Sequence, residues 1–69
     1  MDAVWEDEAV THGEYDVKEL IEEAQRELDM RRRFYPKWVR AGRIKQQDAD
    51  RRIDLMQAIV RRLTRTAMV

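Results

Sequence analysis

The chain contains no cysteine, and it has one histidine, one proline and two glycines among its 69 residues. Without cysteine there is no disulfide and no thiolate metal site, and the lone His12 argues against a histidine-based metal site within one chain. We therefore expect no metal and no cofactor. A chain of this length forms one domain whose small core is marginal unless a disulfide, a metal or self-association adds stability. Self-association is the option that remains.

The side chains that commonly carry catalysis do not form a catalytic pattern. Serine is absent, and nucleophilic catalysis needs a nucleophile beside a base that a third group orients. His12 has no companion of that kind nearby. Paired carboxylates perform acid–base chemistry only inside a cleft that shifts their pKa values, and two helices cannot enclose such a cleft. We therefore expect a non-enzymatic protein with no catalytic residues.

Long apolar runs are also lacking. No segment approaches the ~20 apolar residues that a membrane-spanning helix needs. The first eight residues are acidic rather than basic, which is unlike the start of a signal peptide. These features predict a cytoplasmic protein that does not bind membranes.

Charge is plentiful but unevenly distributed along the chain. Residues 1–30 hold 11 acids and two bases, a net charge of −9, whereas residues 31–69 hold 12 bases and three acids, a net charge of +9. Such asymmetry is typical of an interaction arm or a nucleic-acid surface. It is equally explained if two antiparallel helices pair the acidic start of one with the basic end of the other, which would set their register. The sequence leaves both interpretations open.

Two helical segments follow an irregular start. Residues 1–15 show no sustained period and are interpreted as an acidic arm that is flexible or docked by its few apolar residues. Helix one is predicted over about 16–35, with Asp16 as its N-cap and a kink at Pro36. A turn over about 41–45 contains Gly42, a natural residue after a helix end. Helix two is predicted over about 46–66, with Lys45 at its N-cap.

Apolar residues recur at helical spacing in both segments, which predicts an all-α antiparallel hairpin. The stripe of helix one consists of Val17, Leu20, Ile21, Ala24, Leu28, Tyr35 and Trp38, and that of helix two of Ala49, Ile53, Met56, Val60, Leu63 and Ala67. One hairpin buries too few of these side chains for a robust core. Leu55 and Ile59 lie beside the second stripe, where another hairpin could pack. We therefore expect two copies to dimerise into a four-helix bundle.

The segment 31–45 combines seven basic residues with three aromatic ones. Tyr, Trp and Arg dominate protein–protein hot spots, and aromatics interleaved with Arg also hold single-stranded nucleic acid. A purely structural alternative is that Tyr35 or Trp38 closes the core at the tip of the hairpin. Phe34 lies off the stripe and is the better candidate for an exposed anchor.

This region carries a resemblance to small proteins of temperate bacteriophages. The residues concerned are Tyr35-Pro36-Lys37-Trp38-Val39, Gly42-Arg43-Ile44, Ala49-Asp50 and 53–59, within a stretch that covers about half of the chain. Together with the length and the charge layout, they resemble the quorum-sensing anti-activators of temperate Pseudomonas phages. That resemblance implies a dimer of helical hairpins in the host bacterial cytoplasm. It also implies binding to the DNA-binding domain of a LuxR-type regulator and inhibition of the type IV pilus assembly ATPase.

An inhibitor of that kind needs a rigid surface and no pocket. We expect helix one and the aromatic tip to provide the surface, since carboxylates attract a basic DNA-reading surface. The predicted partner-binding residues are Glu23, Glu27, Met30, Arg31, Phe34, Tyr35 and Trp38. The alternative is a small nucleic-acid-binding protein that uses the basic, aromatic tip, although no helix-turn-helix pattern supports it.

Overall fold

A computed structural model describes residues 15–68, and these form two helices joined by a short turn. Helix α1 spans Val17–Arg40 and helix α2 spans Gln46–Ala67. The two helices pack along each other as a hairpin, and the described residues contain no strand. The predicted all-α hairpin is therefore confirmed. The predicted acidic arm lies outside the described residues except for Tyr15.

Neither helix combines enough length with enough apolar character to cross a membrane, in the part of the chain that the structure describes.

Helix α1 begins at the N-cap that its sequence predicts. Asp16 has an extended backbone, and its Oδ1 accepts a hydrogen bond of 3.0 Å from the backbone N–H of Glu19. This bond satisfies one of the amide groups that the first turn of a helix leaves without a partner, a contribution of about 1 kcal/mol. The local chemistry of Asp16 thus determines where the first helix starts.

Helix α1 does not end near residue 35 but continues through Pro36 to Arg40. Proline has no N–H, so the helix loses its bond to the carbonyl of Arg32. Both residues are exposed to solvent, where water can hydrate that carbonyl. The next turn is retained because Tyr35, on the opposite side of the helix from the solvent, is buried against α2. Tertiary packing therefore outweighs the local cost of the proline.

The end of α1 is a Schellman motif centred on Gly42. The N–H of Gly42 donates to the carbonyl of Val39 at 3.0 Å, and the N–H of Arg43 donates to the carbonyl of Trp38 at 2.8 Å. Gly42 has a φ of +77°, in the left-handed region that glycine adopts without a Cβ penalty. The reversal of the chain between the helices therefore depends on this one residue.

Replacing Gly42 with alanine is expected to destabilise the hairpin by about 1–2 kcal/mol, the usual cost of a Cβ in the left-handed region. No atom lies within 4 Å of the position that the Cβ would take, so backbone strain is the whole effect. Gly42→Asn should cost less, because asparagine tolerates this region better. Urea unfolding followed by circular dichroism measures both variants. Equal stability of Gly42→Ala and the wild type would contradict this account of the turn.

Helix α2 follows with Lys45 at its N-cap, as predicted, and the side chain of Lys45 makes no capping hydrogen bond. The helix begins here because Lys45, at the end of the turn, has an extended backbone and because Ala49, one turn later, is buried at 2% exposure. Packing thus determines the start of α2, whereas a cap determines the start of α1.

The core is a single narrow seam between the helices. It is lined on α1 by Ala24, Leu28 and Tyr35 and on α2 by Ala49 and Met56, with Ile53, Val60 and Leu63 partly buried beside them. These positions recur at alternating steps of four and three, the spacing of two helices that pack along their length. Three residues of the predicted stripes lie outside the seam, since Leu20 and Trp38 are 44% and 39% exposed and Ala67 is also exposed.

Candidate protein-binding surface

A hydrogen bond between the helices identifies which of their side faces belong together. Arg31 Nη1 donates to the backbone carbonyl of Arg52 at 2.9 Å, so these two positions border the same side of the seam. Steps of three and four residues along each helix then extend this side. We call it the apolar face, defined by Leu20, Phe34 and Trp38 of α1 and Leu55 and Ile59 of α2.

The exposed apolar side chains of the two helices are concentrated on this one side. Leu20, Trp38, Leu55 and Ile59 are 44%, 39%, 48% and 47% exposed, and Met30, at the outer edge of the face, is 49% exposed. The opposite side presents polar positions from both helices, among them Lys18, Gln25, Asp50 and Arg61. One side of the hairpin is therefore more apolar than the other, and exposed apolar area of this kind is a common feature of interaction surfaces.

The tip of the apolar face is an ordered cluster of three aromatic rings. Phe34 and Trp38 stack with their ring centroids 6.3 Å apart and an interplanar angle of 26°, and Tyr35 lies 5.4 Å from Trp38 at 35°. Lys37 Nζ is 5.5 Å from the centroid of the Phe34 ring, a cation–π contact. Neighbouring rings on both sides hold Trp38 in place, so it can serve as an anchor with little entropic cost.

The structure distinguishes these three rings, which are all predicted partner-binding residues. Tyr35, predicted as a partner-binding anchor, is 8% exposed and belongs to the core. Phe34, predicted as the exposed anchor, is only partly buried by its neighbours and supports Trp38 from the side. Trp38 is the ring with substantial exposed area. The spacing of the stripe could not separate Tyr35 from Trp38, because both lie within one turn of the seam.

Arg31 and Glu27, both predicted partner-binding residues, form an ion pair at the edge of the seam. Arg31 Nε donates to Glu27 Oε2 at 2.9 Å, with side chains that are 25% and 39% exposed. The same guanidinium donates to Arg52 on α2. Arg31 occupies a position in the seam between Leu28 and Tyr35, so its charged head reaches the edge while its stem packs inside. The carboxylate of Glu27 holds it in that orientation.

Replacing Arg31 with glutamine is expected to lower the free energy of unfolding by about 1–2 kcal/mol, because a charge-assisted bond to α2 is lost. Arg26→Gln is the matched control. Arg26 pairs with Glu23 at 2.7 Å, but both side chains are 72% exposed, and such surface pairs contribute little. Urea unfolding at two salt concentrations measures both. If the two variants lose equal stability, Arg31 does not fasten the helices together.

Further accessible acidic positions of α1 lie next to this pair. Glu23 is largely exposed, and its one ion pair among residues 15–68 is with Arg26, one turn on in the same helix. Near the start of α1, a shallow surface depression is lined by Tyr15, Glu19, Leu20, Glu22, Glu23 and Arg26. Five of the seven predicted partner-binding residues are therefore accessible along one side of α1. They are Glu23, Glu27, Met30, Phe34 and Trp38.

A second depression lies at the tip and brings basic residues of both helices around Trp38. Its lining includes Arg43 and Lys45 from the turn and Arg52 from α2, together with Asp48. Sequence reasoning assigned the turn to the tip but missed Arg52, because its position depends on the register between the helices. The signal was available in principle, since antiparallel helices joined by a short turn bring the first turns of α2 level with the last turns of α1.

Ion pairs do not join the two helices within residues 15–68. The two ion pairs found among the described residues, Glu23–Arg26 and Glu27–Arg31, are both internal to α1. The interpretation of the charge asymmetry as register control between the helices therefore gains no support from the described residues. The register is determined by the apolar seam and by the Arg31–Arg52 bond. Most of the charge is presented to the surroundings.

Comparison with protein-family models, with curated proteins and with solved structures finds no match to this chain.

Proposed function

We propose that this protein is a non-enzymatic inhibitor, of the kind found among phage quorum-sensing anti-activators, that acts as a homodimer on a host transcription regulator. The observation that carries the proposal is the concentration of exposed apolar side chains on one side of the hairpin. Such a face supports recognition of another macromolecule. The Tyr35–Val39 motif and the length and charge of the chain supply the resemblance. Its site of action would be the host cytoplasm.

The centre of the apolar face suits a second copy of the chain. Leu55 and Ile59 are each about half exposed although they are large and apolar, and Leu20 lies on the same side of α1. Two such faces related by a two-fold axis would place four helices around a shared core, which is the commonest symmetric assembly. This arrangement would add the burial that a single narrow seam lacks.

The outer side of α1 and the aromatic tip suit the regulator. A DNA-binding domain reads DNA with a basic surface, and the carboxylates of Glu23 and Glu27 offer the complementary charge. Met30 and Trp38 supply exposed apolar area beside them. By covering its DNA-reading surface, the dimer would block the regulator. The resemblance adds the type IV pilus assembly ATPase as a second target.

Replacing Trp38 with alanine is expected to weaken binding to the DNA-binding domain of a LuxR-type regulator by about 2 kcal/mol or more, roughly 30-fold, since buried Trp anchors dominate interfaces. Glu23→Ala should mainly slow association, and more so at low salt. Isothermal titration calorimetry and stopped-flow mixing measure these effects, with circular dichroism to verify folding. Gln25→Ala, on the polar side of α1, is the control and should bind like the wild type. Wild-type binding by folded Trp38→Ala would refute this placement.

Nucleic-acid binding at the tip is a second candidate, supported by Arg43, Lys45 and Arg52 around an exposed Trp38. It predicts binding whose affinity falls steeply with salt, in proportion to the phosphates contacted. Gel-shift assays with single-stranded and duplex DNA at two salt concentrations separate the candidates. We expect no shift for the inhibitor. A salt-sensitive shift that Trp38→Ala abolishes would favour the alternative.

A further inference from the structure

Charge is separated along the length of the hairpin. Residues 31–52, from the Arg31–Arg52 bond to the turn, form a basic end that holds nine bases and two acids, a net charge of +7. The other described residues, 15–30 and 53–68, form the open end and hold five bases and seven acids, a net charge of −2. The hairpin is therefore a rod with one strongly basic end.

A second copy can cover the apolar face in two arrangements, each with a two-fold axis in the plane of the interface. If the axis runs along the helices, the two basic ends lie side by side and α1 packs on α2 of the other copy. If the axis runs across the helices, each basic end lies beside the open end of the other copy, and α1 packs on α1. Facing helices are antiparallel in both arrangements, so the helix dipoles do not distinguish them.

The charge of the two ends does distinguish the arrangements. Side by side, two ends of net charge +7 face each other and repel, whereas head to tail each faces an end of net charge −2. Packed helices lie about 8–10 Å apart, which is about one screening length at physiological ionic strength. At that separation the repulsion between two basic ends is not screened out, so the charges favour the head-to-tail arrangement.

Two side chains at the outer edge of the apolar face show the same complementarity locally. Lys37 contacts the ring of Phe34, and Glu19 lies beside Leu20 in the depression near the start of α1. Both are exposed. They are 18 residues apart, which is five full turns, so they lie on the same side of α1. A carboxylate and an ammonium are thus placed near opposite ends of one helix edge.

The midpoint between Glu19 and Lys37 coincides with the middle of the apolar face. That midpoint is Leu28. Because Arg31 bonds to Arg52, three residues back along α1 correspond to three residues on along α2, and Leu28 lies about level with Leu55. A two-fold axis across the helices at this level brings the half-exposed Leu55 against its own copy. It also brings Glu19 opposite Lys37 of the second copy.

We propose that the two hairpins of the homodimer pack head to tail, with Glu19 of each copy paired with Lys37 of the other. This arrangement rests on the proposed homodimer and specifies its geometry. The two-fold axis crosses the helices near Leu28, and the basic end of each copy lies beside the open end of the other. Arg40 lies 12 residues from Leu28, so the two tips are about 36 Å apart. Each dimer therefore presents two separate tips, one at each end of the bundle.

Exchanging the two charges tests the pairing. In the full chain, Glu19→Lys and Lys37→Glu should each raise the dimer dissociation constant on the order of tenfold, because each opposes like charges at two symmetric contacts. The double variant restores opposite charges and should return to within about threefold of the wild type. Within one chain the two positions are about 27 Å apart, so this rescue reports on the second copy. Sedimentation measures association, and circular dichroism verifies folding.

Lys18→Glu is the control for charge reversal, because Lys18 lies next to Glu19 in the sequence but on the polar side of α1. It should change the dissociation constant by less than about threefold. In about 0.5 M NaCl the wild-type dimer should weaken, because the attraction between unlike ends is screened. The side-by-side arrangement predicts the opposite signs, since both Lys37→Glu and added salt would relieve repulsion between the basic ends and strengthen association.

A distance between the two tips tests the arrangement directly. The chain contains no cysteine, so Ala41→Cys gives each copy a single nitroxide label at the tip. Double electron–electron resonance should report a separation of about 40 Å for head-to-tail packing, against less than about 25 Å for tips side by side.

The possible failures are distinguishable. A wild type that remains monomeric would overturn the homodimer and this arrangement together. A dimer with the short distance, or one that Lys37→Glu strengthens, would overturn the arrangement and leave the homodimer standing. A dimer in which the double variant associates as weakly as the single variants would overturn the Glu19–Lys37 pairing.

Discussion

Replacing Leu28 with alanine is expected to lower the free energy of unfolding by about 2–5 kcal/mol, the range for truncating a fully buried leucine. Leu28 is 2% exposed and lies at the centre of the seam, against Met56 and Ile53. A domain of this size has a total stability of roughly 3–10 kcal/mol. The variant should therefore be largely unfolded, or unfold at much lower urea concentrations, in circular dichroism at 222 nm.

Leu55→Ala is the matched control, because it removes the same atoms from a residue that is 48% exposed. Its effect should appear only in the part of the stability that depends on protein concentration, since association adds to apparent stability by mass action. Leu28→Ala should lose stability equally at low and high concentration. A loss below about 0.5 kcal/mol in Leu28→Ala would mean that the seam is not the core.

Replacing Ile59 with glutamate is expected to convert the proposed dimer into a monomer. The side chain is 47% exposed in the hairpin, so the hairpin itself should tolerate the change. In the dimer, however, a carboxylate would enter an apolar interface without a partner, at a cost of about 3 kcal/mol or more. The dissociation constant should therefore rise by roughly 100-fold or more, as measured by analytical ultracentrifugation.

Gln47→Glu controls for the added charge, because Gln47 is exposed in the first turn of α2 and lies away from the apolar face. It should leave the association unchanged, and both variants should retain the helical circular dichroism of the wild type. Should the wild type sediment as a monomer of 8.4 kDa at micromolar concentration, the dimer proposal fails at once. Persistence of the dimer in Ile59→Glu would instead relocate the interface.

Local chemical signals made much of the fold predictable. Asp16 caps α1 and Gly42 ends it, and each acts through its own backbone or through a group three residues away. The heptad spacing from Ala49 to Leu63 predicted the seam of α2. Helix one was predicted over about 16–35 with a kink at Pro36, whereas α1 continues to Arg40. The local penalty of Pro36 is real, but packing of Tyr35 against α2 outweighs it, and that contact does not follow from neighbouring residues.

The candidate surface was only partly predictable for a related reason. The acidic side of α1 followed from the pattern of Glu23, Glu27 and Met30 on one helix. The sequence did not predict which aromatic ring is buried and which is exposed. Spacing cannot decide which of two rings near the seam is covered by the other helix of the hairpin. Arg31, predicted to contact a partner, joins the helices through the backbone carbonyl of Arg52, a contact that the pattern of one helix could not predict.

The amino-acid sequence by itself determined the helical class, the antiparallel hairpin and the places where the chain caps and turns, since these follow from period, caps and one glycine. Tertiary structure alone decided that Tyr35 is buried while Trp38 is exposed, that Arg52 joins the tip, and that the exposed apolar residues gather on one side. The physical reason is that a helix face becomes inside or outside only when a second helix is placed against it. The rotation and register of that second helix come from packing between residues distant in the chain.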